Sequence, residues 1–369
     1  MSKYFENFYD WWKNIDKHIM TLELGIYILG LFISLVSTSL IASDKLNTNS
    51  YYFFLKHLTF ILLGIFILLF FSILNQKTLI KISIIFFFIS FFCLFLVPFI
   101  GIEAKGSKRW LDPFFLPRFQ PIEILKPFFI IIISILLSLN NRKLYLKYIF
   151  SSGILIPILL LLISQPDLGQ SLLITLSWLA LIFVSGINIL LFFSFFVTAG
   201  ITVSYLVFFV PKFEYIKLRL ITFVDSSSGN NYQSEKASDA IINGGFFGKG
   251  IGEGTLNSRV PEAHTDYIVS VISEEFGAII VIAIMLTYLI LSYKVIQKIN
   301  FTKDNNIKLI LIGCTSIILL QSFIHIGVNI RLLPTTGMTL PFLSYGGSSI
   351  VSTALLCGII LNLTKRKII

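Results

Sequence analysis

Apolar residues in this chain come in long blocks separated by shorter polar stretches, and block length decides the fold. Blocks near 22–43, 51–74, 79–100, 121–139, 148–165, 168–187, 189–210, 264–293, 307–330 and 341–363 are each near the roughly 20 helical residues that cross a bilayer. The pattern predicts an all-α polytopic membrane protein of about ten transmembrane helices. The 168–187 and 189–210 blocks are divided only by Gly186-Ile187-Asn188, the weakest break. Ahead of the first block, Phe5, Phe8, Trp12, Ile15 and Ile19 recur at three- and four-residue spacing beside Lys3, Lys13 and Lys17. That stripe predicts an interfacial helix within an N-terminal segment, 1–21. The membrane domain then covers 22–363, and 364–369 form a tail. Two polar stretches, 101–120 and 211–263, are too long for simple connectors, and long loops in compact proteins usually carry function. No internal repeat is evident, so the inverted-repeat signature of many transporters is missing.

Composition agrees with this pattern. Of 369 residues, 56% are hydrophobic and 13% charged, against about a quarter charged in soluble domains. The net charge of +10 is dispersed through the loops, which argues for membrane topology and against nucleic-acid binding. With the N-terminus inside, the cytoplasmic loops hold Lys77 and Lys81, then Arg142, Lys143 and Lys147, then Lys294, Lys298, Lys303 and Lys308, and finally Lys365-Arg366-Lys367. Lys and Arg divide nearly evenly between the two sides, but the short inner loops are denser in them, so both termini are expected in the cytoplasm. Cys93, Cys314 and Cys357 lie inside apolar blocks without a CxxC pair. They imply neither a disulfide framework nor a metal cluster. The first block is too long for the apolar core of a cleaved signal peptide.

The polar stretches carry the candidate chemistry. Lys105, Lys108, Arg109 and Arg118 surround Trp110 in the first outer loop. Such a set suits an anionic lipid head group, with Arg matched to phosphate oxygens, and suits plain interfacial anchoring as well. Glu123 and Lys126 stand three apart at the start of an apolar block, where pairing is the least costly way to keep both charges. Gln165-Pro166-Asp167-Leu168-Gly169-Gln170 reads as a tight outer turn whose Asp167 caps the next helix. In the second loop, Lys212, Lys217 and Arg219 precede a Ser/Gly/Asn-rich piece from Asp225 to Ser234, then a glycine set from Gly244 to Gly254. That set matches neither a P-loop nor a dinucleotide fingerprint, and predicts a loop free to bring backbone amides to a ligand.

Asp266 sits just inside the 264–293 block. A carboxylate there requires a cation, a donor or a proton, unless it simply answers the dipole of a first helical turn. On one continuous helix, Glu274 would lie about 80° round and about 12 Å along from Asp266. That exceeds the roughly 5–9.5 Å of paired-carboxylate glycosidases. His264 would lie about 200° away, against a His–Asp dyad. Asp266 would then act alone or with a metal ion. From Asn329 to Ser349 the chain holds Pro334, Pro341, Gly337, Gly346, Gly347 and many hydroxyls. Irregular backbone at membrane depth lines protein or a wet cavity; Ser344 to Ser349 fit small-residue helix packing as well, but with the other outer-side polar groups a cavity is the expectation.

Together these motifs resemble the SEDS family (shape, elongation, division and sporulation), membrane glycosyltransferases that polymerise peptidoglycan. The resemblance is carried by Lys105–Asp112, Gln120–Lys126, Gln165–Gly169, Gly244–Gly254, Pro261–Ile268 and Leu333–Ser349, in the family's order. The first hundred residues fit in hydropathy alone. The wording is nearer the division branch than the elongation branch. Two places depart from the family: Ile122, where a small residue is usual, and Lys56-His57, where Arg-Gln is common.

The resemblance implies a ten-helix enzyme acting on lipid II, the undecaprenyl-pyrophosphate-linked disaccharide pentapeptide, at the outer face of the bacterial inner membrane, at the septum. Asp266 matches the family's essential aspartate. It would deprotonate the attacking GlcNAc 4-hydroxyl or hold a divalent cation, Mg2+ or Mn2+, with no organic cofactor. Lys108, Arg109, Lys126 and Arg219 would neutralise the leaving pyrophosphate, while Glu123, His264, Thr265, Ser344 and Tyr345 complete the expected substrate site. The implied partner is a class B penicillin-binding protein supplying transpeptidation, together with other division proteins. A lipid II flippase, an elongation-type polymerase and a non-catalytic scaffold are the competing readings.

Overall fold

The computed structural model describes residues 8–35, 51–104, 107–114, 117–139, 143–210, 213–224, 232–256 and 259–365. Lys3, Phe5, Lys105, Arg142, Lys212, Arg366, Lys367, most of the Asp225–Ser234 piece and the end of the first apolar block lie outside them.

The chain opens with α1 (Phe8–Asn14) and α2 (Lys17–Ile33). The apolar stripe divides between them. Phe8 and Trp12 stay exposed, while Ile15 and Ile19 enter the core. Trp11 is buried and donates to Ser72 Oγ at 3.1 Å. Asp16 separates the two helices, accepting from the amides of His18 and Ile19 and pairing with Lys298 at 2.6 Å. Next come α3 (Tyr52–Ile73), α4 (Gln76–Ile100), an antiparallel hairpin of β1 (Ile102–Ala104) and β2 (Ser107–Trp110), and α5 (Pro121–Ser138). Then follow α6 (Leu144–Ser164), α7 (Leu168–Val184) and α8 (Ile189–Phe209). Two helices, α9 (Glu214–Val224) and α10 (Tyr232–Gly244), lie within the second long loop. The chain finishes with α11 (Ile268–Phe276), α12 (Ala278–Phe301), α13 (Asn305–Asn329) and α14 (Gly347–Leu363).

Among the described residues, seven helices are long and apolar enough to cross a membrane: α3, α4, α5, α6, α8, α12 and α13. The apolar helices α7 and α14 are shorter, at 17 residues each. Burial separates an inner set from an outer ring. In α5 and α13, 72% of the spanning window is buried, against 22–28% in α3, α4, α6 and α12. Helix α14 is buried along nearly its whole length, packed on α3. The large apolar side chains exposed on the ring face where lipid would lie, the expected inversion for a membrane bundle.

The weak break at Gly186 is real: Gly186 has φ +92° and Asn188 Oδ1 accepts from the Leu190 amide at 2.9 Å. The 264–293 block, by contrast, is not one helix. Residues 261–267 form turns, α11 stops at Phe276, and Gly277 with φ +85° separates it from α12. The glycine-rich loop causes the break. Lys249 N reaches Glu274 O at 2.8 Å and Gly250 N reaches Glu275 O at 3.0 Å. From the other side, Ala278 N donates to Gly245 O at 3.0 Å. These bonds satisfy the backbone groups that a helix end leaves orphaned. A Cβ on Gly277 would come within 2.2 Å of Phe246 O, so no side chain fits there. Gly245, Gly248 and Gly250 therefore spend their backbone freedom on this junction.

Candidate active site

A cavity of about 620 Å³ opens between four irregular pieces of chain: the β-hairpin, the residues leading into α5, the turn before α11, and the segments flanking Pro341. Asp266 stands in its wall, on the turn rather than on a helix. Glu262, at φ +55°, organises that turn. Its carbonyl accepts from the amides of Thr265 and Asp266 at 3.1 Å and of Tyr267 at 3.2 Å. Thr265 Oγ1 donates to the Glu262 carboxylate at 3.0 Å. Asn329, at the end of α13, donates to the Asp266 carbonyl at 3.1 Å. On the remaining side, Ser344 Oγ donates to Thr265 O at 2.6 Å and the Tyr345 amide donates to His264 O at 3.0 Å. The wheel geometry placing Glu274 and His264 around one helix therefore does not apply. Glu274 is buried and accepts from Asn243 Nδ2 and the Leu256 amide, each at 2.9 Å. It braces the glycine loop.

Arg109 and Asp266 both border Gly337. A Cβ placed on Gly337 would lie 3.6 Å from Asp266 Oδ2 and 3.9 Å from Arg109 Nη1, so both groups flank one point of the wall. The guanidinium is anchored: Nε donates to Gln165 O at 3.2 Å, Nη2 to Pro166 O, and Nη1 lies 3.8 Å from Asp167 Oδ1. Asp167 caps α7 as expected, accepting from Gln170 N, and takes a second bond from Gln120 Nε2 at 2.7 Å. Burial raises its carboxyl pKa, and the Arg109 charge opposes that rise. Arg219, on α9, donates to Thr335 O at 3.2 Å. Burial first, and Arg109 second, lower its pKa. Two guanidinium groups thus crowd one side of the cavity, which favours a multiply charged anion between them. Tyr267 is pushed up by burial and by the Asp266 charge. Burial pushes the Tyr345 phenol up to about 12.

Glu123 and Lys126 form the expected pair, at 2.7 Å, in the cavity floor. Gln170 Nε2 donates to Glu123 at 2.5 Å, and Lys126 donates to Gln321 Oε1 at 3.0 Å. Gln321 in turn donates to Thr339 O at 2.9 Å, tying the pair to the opposite wall. Asp266, Arg109, Glu123, Arg219, Thr265 and Tyr345 all line the cavity. Four expected residues do not. Lys126 is fully buried behind Glu123, and Lys108 is exposed on β2 opposite Glu103. The His264 ring packs on Phe53 and Tyr345, at 5.6 and 5.8 Å between centroids. Ser344 bonds to backbone on both sides. Gln120, Gln170, Tyr267 and Lys56 line the cavity without having been singled out for it. A usable signal for Gln120 is a polar residue immediately before the Pro that begins an apolar helix.

Among the described residues, no group of three or more His, Cys, Asp or Glu could hold a metal ion. The carboxylates lining the cavity are Glu123, Glu262 and Asp266. One or two carboxylates fit Mg2+ when a phosphate-bearing ligand completes the coordination.

Three kinds of likeness bear on this site. The family described as Cell cycle protein, FtsW/RodA/SpoVE, matches residues 17–368. The probable peptidoglycan glycosyltransferase FtsW of Caulobacter vibrioides is 29% identical over 361 residues, covering 97% of this chain and 91% of that protein. Its namesake in Francisella salina is 33% identical over 363 residues, covering 94% and 88%. A chain from the structure titled "Structural coordination of polymerization and crosslinking by a peptidoglycan synthase complex" superposes with a TM-score of 0.79 at 22% identity, covering 95% of this chain and 97% of that one. The rod shape determining protein RodA of Thermus thermophilus gives 0.69 at 21% identity, covering 95% and 96%. At these identities the structural likeness speaks for the fold.

Proposed function

The chain belongs to the FtsW/RodA/SpoVE family of cell cycle proteins, and from that membership and the cavity we propose that it is a peptidoglycan glycosyltransferase that polymerises lipid II for septal wall synthesis. The observation that carries the reading is Asp266 and the Arg109 guanidinium flanking one point of a cavity that Arg219 also lines.

Glycan transfer needs a base at the acceptor hydroxyl and counter-charge at the leaving group. Asp266 takes the proton from the GlcNAc 4-hydroxyl as its oxygen bonds to the donor's anomeric carbon. The anomeric carbon–oxygen bond to undecaprenyl pyrophosphate breaks, and the electron pair leaves on the phosphate. Arg109 and Arg219 hold that phosphate, their planar forks matched to its oxygens. Glu123 and Lys126 keep the floor polar and rigid, and the Lys126 charge acts through Glu123 and Gln321. In the alternative role Asp266 would hold a divalent cation, Mg2+ or Mn2+, together with the pyrophosphate; the ion would supply further neutralisation of developing charge.

The reading extends to location and partners. Relatives carry the division name FtsW, which supports a role at the septum. A structural neighbour comes from a synthase complex that couples polymerisation to crosslinking, which supports a class B penicillin-binding protein as partner. The multi-pass bundle belongs in the bacterial inner membrane, with both termini in the cytoplasm. Purified protein given labelled lipid II should produce glycan polymer. Recovery of monomeric lipid II on the far side of liposome bilayers, with no polymer formed, would favour a flippase instead.

A further inference from the structure

We propose that Ser344 and Tyr288 are positioning residues for Asp266, acting through a strained elbow at Pro341–Tyr345 that clamps the Asp266 turn from below. The inference rests on the polymerase reading and adds a mechanical requirement to it.

The elbow is unusual in its backbone. Leu343 N donates to Pro341 O at 2.9 Å, a bond between residues two apart, and Phe342 between them has φ +68°. This is the φ of the rare, strained form of γ-turn. A bulky residue adopts it only where the surroundings over-determine it. They do so here. The Tyr288 hydroxyl on α12 donates to Pro341 O at 2.5 Å. The Phe342 ring is fully enclosed, edge-on to Tyr27 of α2 at 4.8 Å and beside Tyr288 at 6.1 Å. Gly30 lets α2 come close, since a Cβ there would lie 2.5 Å from Phe342 O. Helices α2 and α12 therefore hold one side of the elbow.

The other side holds the active-site turn. Ser344 is 2% exposed, and its hydroxyl is spent on backbone. It accepts from Leu340 N at 2.8 Å and donates to Thr265 O at 2.6 Å, the carbonyl immediately before Asp266. Tyr345 N adds the bond to His264 O. Ser344 thus belongs to the scaffold of Asp266 rather than to the surface that touches substrate. Its hydroxyl and that of Tyr288 act in series, through one turn. A shift of the Asp266 carboxylate by a fraction of an ångström would leave binding intact while degrading proton abstraction, because positioned catalysis is steep in distance.

The test compares full-length parent, Ser344→Ala, Tyr288→Phe and the double variant, each reconstituted in liposomes with lipid II. Each single variant should lower kcat about ten- to a hundredfold while KM stays within about twofold, the pattern of a lost transition-state interaction. The double variant should be little worse than the poorer single one, because both act through the same elbow. Unchanged kinetics, or a raised KM with kcat preserved, would overturn the inference, the latter by making Ser344 a substrate contact. A second readout needs no activity. In an Asp266→Cys background, the rate of labelling by a water-soluble maleimide should shift when Ser344→Ala or Tyr288→Phe is added. Identical labelling rates would overturn the inference by themselves. A parent chain that leaves lipid II monomeric would count against the polymerase reading alone.

Discussion

Arg109 and Arg219 share a cavity, but chain holds them very differently. Arg109 is gripped by two carbonyls and Asp167, whereas among the described residues Arg219 has a single hydrogen bond, to Thr335 O. Arg219→Ala should therefore leave the fold intact and lower kcat by about a hundredfold, the usual cost of one lost electrostatic contact to a transition state; lipid II consumption under saturating substrate reads it. The buried pair behaves oppositely. Lys126→Met strands the Glu123 carboxylate in the floor and should cost about 3–5 kcal/mol, read as a fall in melting temperature in detergent. Adding Glu123→Gln to it should recover most of that stability, since the uncompensated charge is then gone. Both of these charges were legible in the sequence, because two ionised groups three apart in an apolar block have few other ways to persist. Whether Lys126 faced ligand or protein was not legible: that depends on Gln321, a neighbour 195 positions away.

At the scale of elements, the spacing of apolar blocks foretold most helices to within a few residues. It failed where a tertiary partner breaks a helix. Nothing in Ser273-Glu274-Glu275-Phe276-Gly277-Ala278 demands a break until the glycine loop supplies the hydrogen bonds that replace the helical ones. Gly277→Ala should force the two apart, because its Cβ has no room against Phe246 O and φ +85° disfavours any side chain. Loss of both thermal stability and polymerisation would show it; a chain that melts like the parent would not fit this account. The Asp16–Lys298 pair makes a prediction in pH. Burial alone would raise the Asp16 carboxyl, but Lys298 at 2.6 Å and the amides of Ile19 and His18 outweigh it and hold the group below its usual value. A depressed carboxylate adds stability above the unfolded pKa, about 4, and that stability is lost as pH falls through the lower, folded value. Acid melting curves of Asp16→Asn should lack this component of the parent's loss.

For the whole molecule, composition and block length alone implied a membrane bundle, and the order of short motifs implied the family. A cavity was expected from the irregular 329–349 segment and the outer-face charges, but which side chains meet across it was not. Arg109 comes from a hairpin, Arg219 from a helix in the second long loop, and Asp266 from a turn; Gly337 marks the wall between two of them. They meet because α5, α13 and α14 form one buried core from which those irregular pieces emerge on the same side. The central claim is that Asp266 is the base of a glycan polymerase built there. It is tested most directly by following labelled lipid II in liposomes containing either the parent chain or Asp266→Asn, with melting temperatures matched. The account predicts lengthening glycan polymer from the parent and unconsumed lipid II from Asp266→Asn. Polymer from Asp266→Asn at the parent's rate would contradict it.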